Sequence, residues 1–294
     1  MMNIQYIIKK LDAYERLMRL DKPIGILLLL WPTLCALLIA GHGKPHGAIV
    51  LVFVTGTVLM RSAGCVMNDI ADSQYDGLVE RTQYRPLASG EVSKKEAYVL
   101  AMVLCLVAFG LVLFLNLLTI KLSVLALFLA ATYPLTKRFL AIPQAYLGIA
   151  FGFGIPMAFA AIGGFVPLIA WVLLLANVFW AVAYDTEYAM VDREDDLKIG
   201  IKSSAITFGR YDVAAVMLCY TLTLLLLVFA GNRLAMGVVY YIGLLIATGV
   251  AISHYFLIRA REKPKCFKAF LGNNWFGCAV FSGVLAHYLS LHWL

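Results

Sequence analysis

An all-α, polytopic membrane protein, a bundle of about nine transmembrane helices, is the fold class this sequence predicts, and three observations predict it. The chain of 294 residues is 62% hydrophobic and 14% charged, with a mean hydropathy of +0.86, far above the roughly half-apolar composition of a water-soluble domain. Its apolar residues gather into segments of about twenty, the length that crosses a bilayer core. Basic residues alternate from loop to loop as those segments succeed one another. Residues 1–294 are therefore read as one integral membrane unit rather than as two soluble domains.

The first stretch, MMNIQYIIKKLDAYERLMRLDKP, is amphipathic and mixed in charge. It has no apolar run followed by a small-residue cleavage site, so it is expected to lie on the membrane surface rather than to act as a signal peptide. The spans are predicted over 24–40, 48–67, 97–115, 117–133, 145–162, 165–183, 213–230, 234–252 and 269–289. The fourth contains Lys121, which must snorkel to the interface. Twenty of the 24 basic residues fall in the N-terminal stretch and in the loops after the second, fourth, sixth and eighth spans. By the positive-inside rule these segments are cytoplasmic, in the pattern of a multi-pass protein of a bacterial inner membrane.

The formal charge of +7 is thus a membrane-topology surface. No basic helix or zinc-finger pattern accompanies it, which argues against nucleic acid as a partner. The six cysteines are scattered with no CxxC pair, and the five histidines show no metal-ligand spacing, so neither a disulfide framework nor a zinc site is implied.

All 17 acidic residues lie on or next to the basic-rich side, although Asp and Glu do not set topology. Two clusters follow the second and sixth spans. In CVMNDIADSQYDG, Asn68, Asp72 and Asp76 fall at i, i+4 and i+8, one helical stripe drifting about 40° per step. In YDTEYAMVDREDD, Asp185, Asp192 and Asp196 fall at i, i+7 and i+11 and again share a face. Asp69, Glu80, Glu187, Glu194 and Asp195 lie off the stripes or in the loops and read equally well as charges at the headgroup boundary.

Two carboxylate stripes facing each other near a low-dielectric region repel unless a cation neutralises them. Oxygen ligands without Cys or His select a hard ion such as Mg²⁺, which binds through a few carboxylates together with substrate phosphates. A metal-bridged diphosphate is the ligand this pattern suggests. Arg81 and Arg85, Lys137 and Arg138, and Lys198 and Lys202 follow at the right depth to balance such an anion. Arg61, roughly two turns inside a span, is expected to face a polar cavity.

At these residues the chain resembles the UbiA superfamily of intramembrane prenyltransferases. The signature NDxxDxxxD stands as NDIADSQYD and the later DxxxD as DREDD. The strings DKPIGILLLLWPT, RTQYRPLASG, YPLTKR and YDTEYAMVDREDDLKIGIKSSAITFG point to its hydroxybenzoate branch. The resemblance implies a Mg²⁺-dependent transfer of a polyprenyl group from polyprenyl diphosphate to 4-hydroxybenzoate in ubiquinone biosynthesis, at a site open to the cytoplasmic side with a lateral route for the lipid tail. It implies that Asn68, Asp72, Asp76, Asp192 and Asp196 hold Mg²⁺ and the diphosphate, and that Lys137 and Arg138, with Tyr133 opening their motif, neutralise the leaving group. It places Arg61 near the aromatic acid and adds Tyr188 to the substrate-binding set. Which of Asp185, Asp192 and Asp196 accepts the ring proton stays open. Association with other ubiquinone-pathway enzymes is a further expectation.

Three other readings share parts of this pattern. A cation-coupled transporter also uses intramembrane carboxylates, usually near the midplane on interrupted helices. A membrane phosphotransferase needs a contiguous motif with DGxxAR, which is absent. Haem farnesyltransferases and menaquinone-type synthases share the first motif, but the string DTEYAMVDREDD argues against them.

Overall fold

The computed structural model describes residues 4–74, 76–78 and 82–293. Among these residues the chain is helical without strands: α1 (Ile4–Leu17), α2 (Ile24–Ala40), α3 (Gly47–Asp72), α4 (Lys94–Val112), α5 (Leu117–Thr136), α6 (Pro143–Gly152), α7 (Gly154–Gly163), α8 (Leu168–Ile199), α9 (Ser204–Phe208), α10 (Asp212–Arg233), α11 (Val238–Ile258) and α12 (Lys263–Trp293). Eight helical stretches are long and apolar enough to cross a bilayer, with α6 and α7 forming one stretch and α9 and α10 another. α2 is apolar but has only 17 residues, about 26 Å of helix at 1.5 Å per residue, a little under the thickness of a bilayer core. Lys121 lies in the second turn of α5 and is exposed, as snorkelling requires.

The structure corrects the predicted spans at three points. The fifth, 145–162, is broken at Phe153 into α6 and α7. Pro156 has no N–H to donate to the carbonyl of Gly152, and glycines at 152 and 154 weaken the ladder on both sides. The second acidic cluster does not lie in a loop, because α8 runs on through all of it to Ile199. The first does the reverse. α3 ends at Asp72, and Asp76 opens a separate 3₁₀ turn, Asp76–Leu78, so the stripe of three is a helical pair plus one residue delivered by tertiary contacts.

α8 is the central helix, packed against α2, α6, α7, α10 and α12. Around it Tyr184, Tyr220 and Phe276 are fully buried. Small residues bring its neighbours close. A Cβ at Gly148 would lie 2.8 Å from the Val178 backbone and one at Gly152 2.5 Å from Asn177 Nδ2. α6 therefore packs on α8 backbone to backbone, with Asn177 Nδ2 donating to the Gly148 carbonyl at 3.0 Å, the small-residue packing that replaces hydrophobic driving force in lipid.

α1 docks by Ala13 and Leu17 onto Val66 and Ile70 of α3 and onto Leu87 and Val92 of the following loop. Lys10 Nζ and Tyr14 Oη donate to Glu96 at 2.8 and 3.1 Å. The same Glu96 completes a capping box with Ser93 at the start of α4, so one carboxylate serves both the cap and the dock.

Candidate active site

A cavity of about 860 Å³ opens where α2, α3, α5, α6 and α8 meet at the motif-bearing end of the bundle. It has three levels. Its mouth is lined by Asn68, Asp69, Asp72, Asp76 and Arg85 on one side, by Lys137, Lys202 and Ser203 on another, and by Asp192 and Asp196 of α8. Below these lie Arg61, Tyr133, Gln144, Phe151, Tyr184, Asp185 and Tyr188. The deep part is largely apolar, with Val52, Phe53, Gly56, Phe109, Leu127 and Met157 among its walls and Thr33, Thr57 and Ser123 between them.

At the mouth, the helical spacing of α3 sets Asn68 Nδ2 on Asp72 Oδ2 at 3.0 Å. Lys137, the C-cap residue just after α5, reaches across to both, 3.2 Å from Asn68 Oδ1 and 3.5 Å from Asp72 Oδ2. Asp76 is buried and takes Arg85 Nη1 at 3.0 Å on each of its oxygens. Burial raises the Asp76 carboxyl above its ordinary range; Arg85 pulls it back down, and Asp69 and Asp72 push it up again. Such a carboxylate gains from any additional cation.

Asp69, left open by the sequence between a boundary charge and a site residue, is 1% exposed. It is held by two guanidiniums, Arg85 at 3.0 Å and Arg19 at 2.8 and 2.9 Å. Arg19 is a cavity-lining residue the sequence reading missed, and Asp69 one it left open. The signal for Asp69 was its place inside the motif, whereas Arg19 stands in an ordinary surface string.

At the second level, Arg61 sits with its guanidinium 5.3 Å from the Phe151 ring centre. Gly25 makes room for it, since a Cβ there would fall 2.5 Å from Nε and Nη2. Arg61 Nε is buried and has no hydrogen-bond partner. Tyr133 lies 6.4 Å from Phe151, centre to centre, and its ring faces Lys137 Nζ at 5.8 Å. Asp185 projects from α8 into the cavity, which Gln144 also lines. Tyr188 packs on Phe270 at 4.7 Å and forms the far wall.

The structure thus gathers Arg61, Asn68, Asp72, Asp76, Arg85, Tyr133, Lys137, Asp185, Tyr188, Asp192, Asp196 and Lys202 around one cavity. It does not bring Arg138 there. One residue beyond Lys137 is about 100° further round the turn, and Arg138 is exposed and absent from the lining. Arg81 and Glu80 lie outside the described residues.

The mouth suits a hard cation by its donor set of carboxylate and amide oxygens, with no histidine in the lining. Among the described residues no three Asp, Glu, His or Cys side chains converge into a ready-made metal cluster.

Comparison with known proteins follows the same lines. The chain is 67% identical over 278 residues to a 4-hydroxybenzoate octaprenyltransferase of Methylobacillus flagellatus, covering 95% of this chain and 94% of that one. It is 65% identical over 280 residues to the protein of the same name from Azoarcus sp., covering 95% and 98%. Its fold matches a UbiA homolog from Aeropyrum pernix with a TM-score of 0.78 at 25% identity, covering 92% and 98% of the two chains. It also matches a UbiA homolog from Archaeoglobus fulgidus bound to GPP and Mg²⁺, with a TM-score of 0.69 at 18% identity over 93% and 99%. The family model described as the UbiA prenyltransferase family matches residues 29–278, and the chain belongs to that family.

Proposed function

We propose that this protein transfers a polyprenyl group from polyprenyl diphosphate to the ring of 4-hydroxybenzoate, at the carbon next to the hydroxyl, with release of diphosphate, as a step of ubiquinone biosynthesis. The observation that carries the reading is the three-level cavity: a cation-binding mouth, a buried arginine with an unpartnered nitrogen below it, and an apolar shaft. The names of the protein's relatives supply the acceptor and the donor.

In this reading the shaft holds the prenyl tail and the mouth holds the diphosphate. Mg²⁺, held by Asn68, Asp72 and Asp76 on one side and by Asp192 and Asp196 on the other, would neutralise charge on the departing diphosphate. Lys137, already aimed at Asn68 and Asp72, adds a fixed positive charge at the same place. Arg61 pairs with the carboxylate of the aromatic acid, and the rings of Tyr133, Phe151 and Tyr184 exclude water from the carbocation.

The allylic C–O bond breaks with its electron pair leaving on the diphosphate. The ring carbon supplies the pair for the new C–C bond, and the displaced ring proton passes to a carboxylate. Asp185 is assigned that role over Asp192 and Asp196, because it lines the cavity at the level of Arg61 and Tyr133 rather than at the mouth. The excess of basic residues at this end of the bundle argues that it faces the cytoplasm.

The test is an assay of the purified protein in detergent with 4-hydroxybenzoate and a polyprenyl diphosphate, with and without Mg²⁺, reading prenylated product by mass spectrometry. Mg²⁺-dependent product that disappears in Asp72→Ala supports the reading. Folded protein that yields neither product nor diphosphate overturns it.

A further inference from the structure

Among the described residues, two buried side-chain polar atoms have no hydrogen-bond partner, Arg61 Nε and Ser203 Oγ. Both belong to residues that line the same cavity. A buried polar group without a partner costs free energy in the empty protein, and a pair of such atoms on one cavity marks where a ligand supplies the missing bonds. The aromatic acid accounts for Arg61. Ser203, which is 3% exposed, belongs to neither acidic motif.

Its surroundings say which part of the substrate it meets. Ser203 stands in the N-cap position of α9, where a serine ordinarily caps the helix with its hydroxyl, yet it makes no such bond. The residues on either side pin the loop. The Lys202 N–H donates to the Lys137 carbonyl at 3.0 Å and Lys202 Nζ to the Phe139 carbonyl at 3.1 Å. The Ser204 N–H donates to Gln144 Oε1 at 3.0 Å, and its hydroxyl pairs with Thr186 at 2.6 Å. Ser203 is therefore held rigidly between two anchored neighbours with its hydroxyl left over. The backbone bond from Lys202 to Lys137 puts Ser203 beside both lysines, and all three residues line the cavity. A buried, unpaired hydroxyl on this lysine-bearing wall is set to meet an anionic oxygen.

We propose that the Ser203 hydroxyl donates a hydrogen bond to a non-bridging oxygen of the prenyl diphosphate, which makes it a further substrate-binding residue of this enzyme. The inference rests on the prenyl-transfer reading above. Because the hydroxyl is unpaired in the empty protein and paired in the complex, its removal has two opposite signatures.

The experiment compares wild type, Ser203→Ala and Ser203→Thr, each full-length in detergent. It measures the thermal midpoint without ligand, the affinity for a non-reacting prenyl thiolodiphosphate with Mg²⁺, and the KM for 4-hydroxybenzoate. The expected result for Ser203→Ala is an unchanged or higher midpoint, analogue binding weakened about tenfold, as for a hydrogen bond to a charged group, and an unchanged KM for the acid. Ser203→Thr, which keeps the hydroxyl, restores most of the analogue affinity.

Unchanged analogue affinity in Ser203→Ala overturns the proposal. So does a rise confined to the KM for the acid, which would move the hydroxyl to the acceptor side, and so does a threonine variant no better than alanine or a lowered midpoint in Ser203→Ala, which would make the residue structural. Failure of the wild type to bind the analogue or turn over would instead bring down the prenyl-transfer reading itself.

Discussion

The two long faces of α8 carry acids of the same kind to opposite ends. On the front face Asp185, Asp192 and Asp196 line the cavity. On the back face Trp180, Glu187 and Glu194, seven residues apart, all meet α12. Trp180 Nε1 donates to Asn273 Oδ1 at 2.8 Å, Asn273 Nδ2 to Glu187 Oε2 at 2.8 Å and Lys263 Nζ to Glu194 at 2.7 Å. Glu187 is fully buried, and its other oxygen lies 3.1 Å from Tyr220 Oη of α10 and 3.5 Å from His254 Nδ1 of α11. Tyr220 Oη is in turn 2.8 Å from both His254 and Asn273. A buried carboxylate whose lone pairs are saturated by three other helices holds the helix in register. The front-face carboxylates border a cavity, where a ligand can reach them. The difference lies wholly in what the neighbouring helices offer.

The comparison breaks most visibly at Glu187. Glu187→Ala removes the acceptor through which Tyr220 and Asn273 tie α10 and α12 to α8, and the expected loss of stability is about 3 kcal/mol, read as a large fall in thermal midpoint in detergent. A variant that melts like wild type would mean the network contributes nothing to register.

Asp192→Ala, only five residues along, should do the reverse. Turnover falls by a factor of about 100 or more, the scale for losing a charge-stabilising group, while the midpoint stays near that of wild type. If stability and activity fell together in both variants, the two faces would not be functionally distinct.

Within the front face, Asp185→Asn is expected to abolish turnover yet retain binding of a non-reacting prenyl diphosphate, whereas Asp192→Asn loses both; binding measured beside product formation separates them. Arg61→Lys, which removes the planar fork but keeps the charge, should raise the KM for 4-hydroxybenzoate about tenfold, as when a bond to a charged partner is lost, and leave the KM for the diphosphate substrate unmoved.

The smallest effect belongs to the exposed end of the back face. Glu194→Ala removes a solvated ion pair and should cost at most about 1 kcal/mol, against the much larger loss at Glu187 two turns deeper. Equal losses would refute burial as the cause of the difference.

Much of this was legible along the chain because it depends on local periodicity. Apolar runs of span length became helices, with α2 reproducing residues 24–40 at both ends, since membrane burial imposes one length on every span. The front stripe of α8 was legible for the same reason: residues at i, i+7 and i+11 share a face of any helix. Glu187 was not, because its partners sit at 220, 254 and 273, and no spacing within one helix announces a contact across three. Asp69 differs from a boundary charge only through Arg19 and Arg85, which come from two separate loops.

What the sequence by itself determined is the helical membrane class, the two acidic motifs and the faces on which their residues lie. These follow from hydropathy and helical geometry, which act over a few turns. Only the tertiary structure decided that α3 stops at Asp72 and hands Asp76 to Arg85, that Arg138 points away from the cavity while Lys137 enters it, and that one glutamate of α8 is a structural anchor. It likewise decided that Ser203, in no motif, keeps an unpaired hydroxyl at the site. Hydrogen bonds and ion pairs are short-ranged, so their outcome is settled by which groups the packed helices bring within about 3 Å, and that is a property of the assembled bundle.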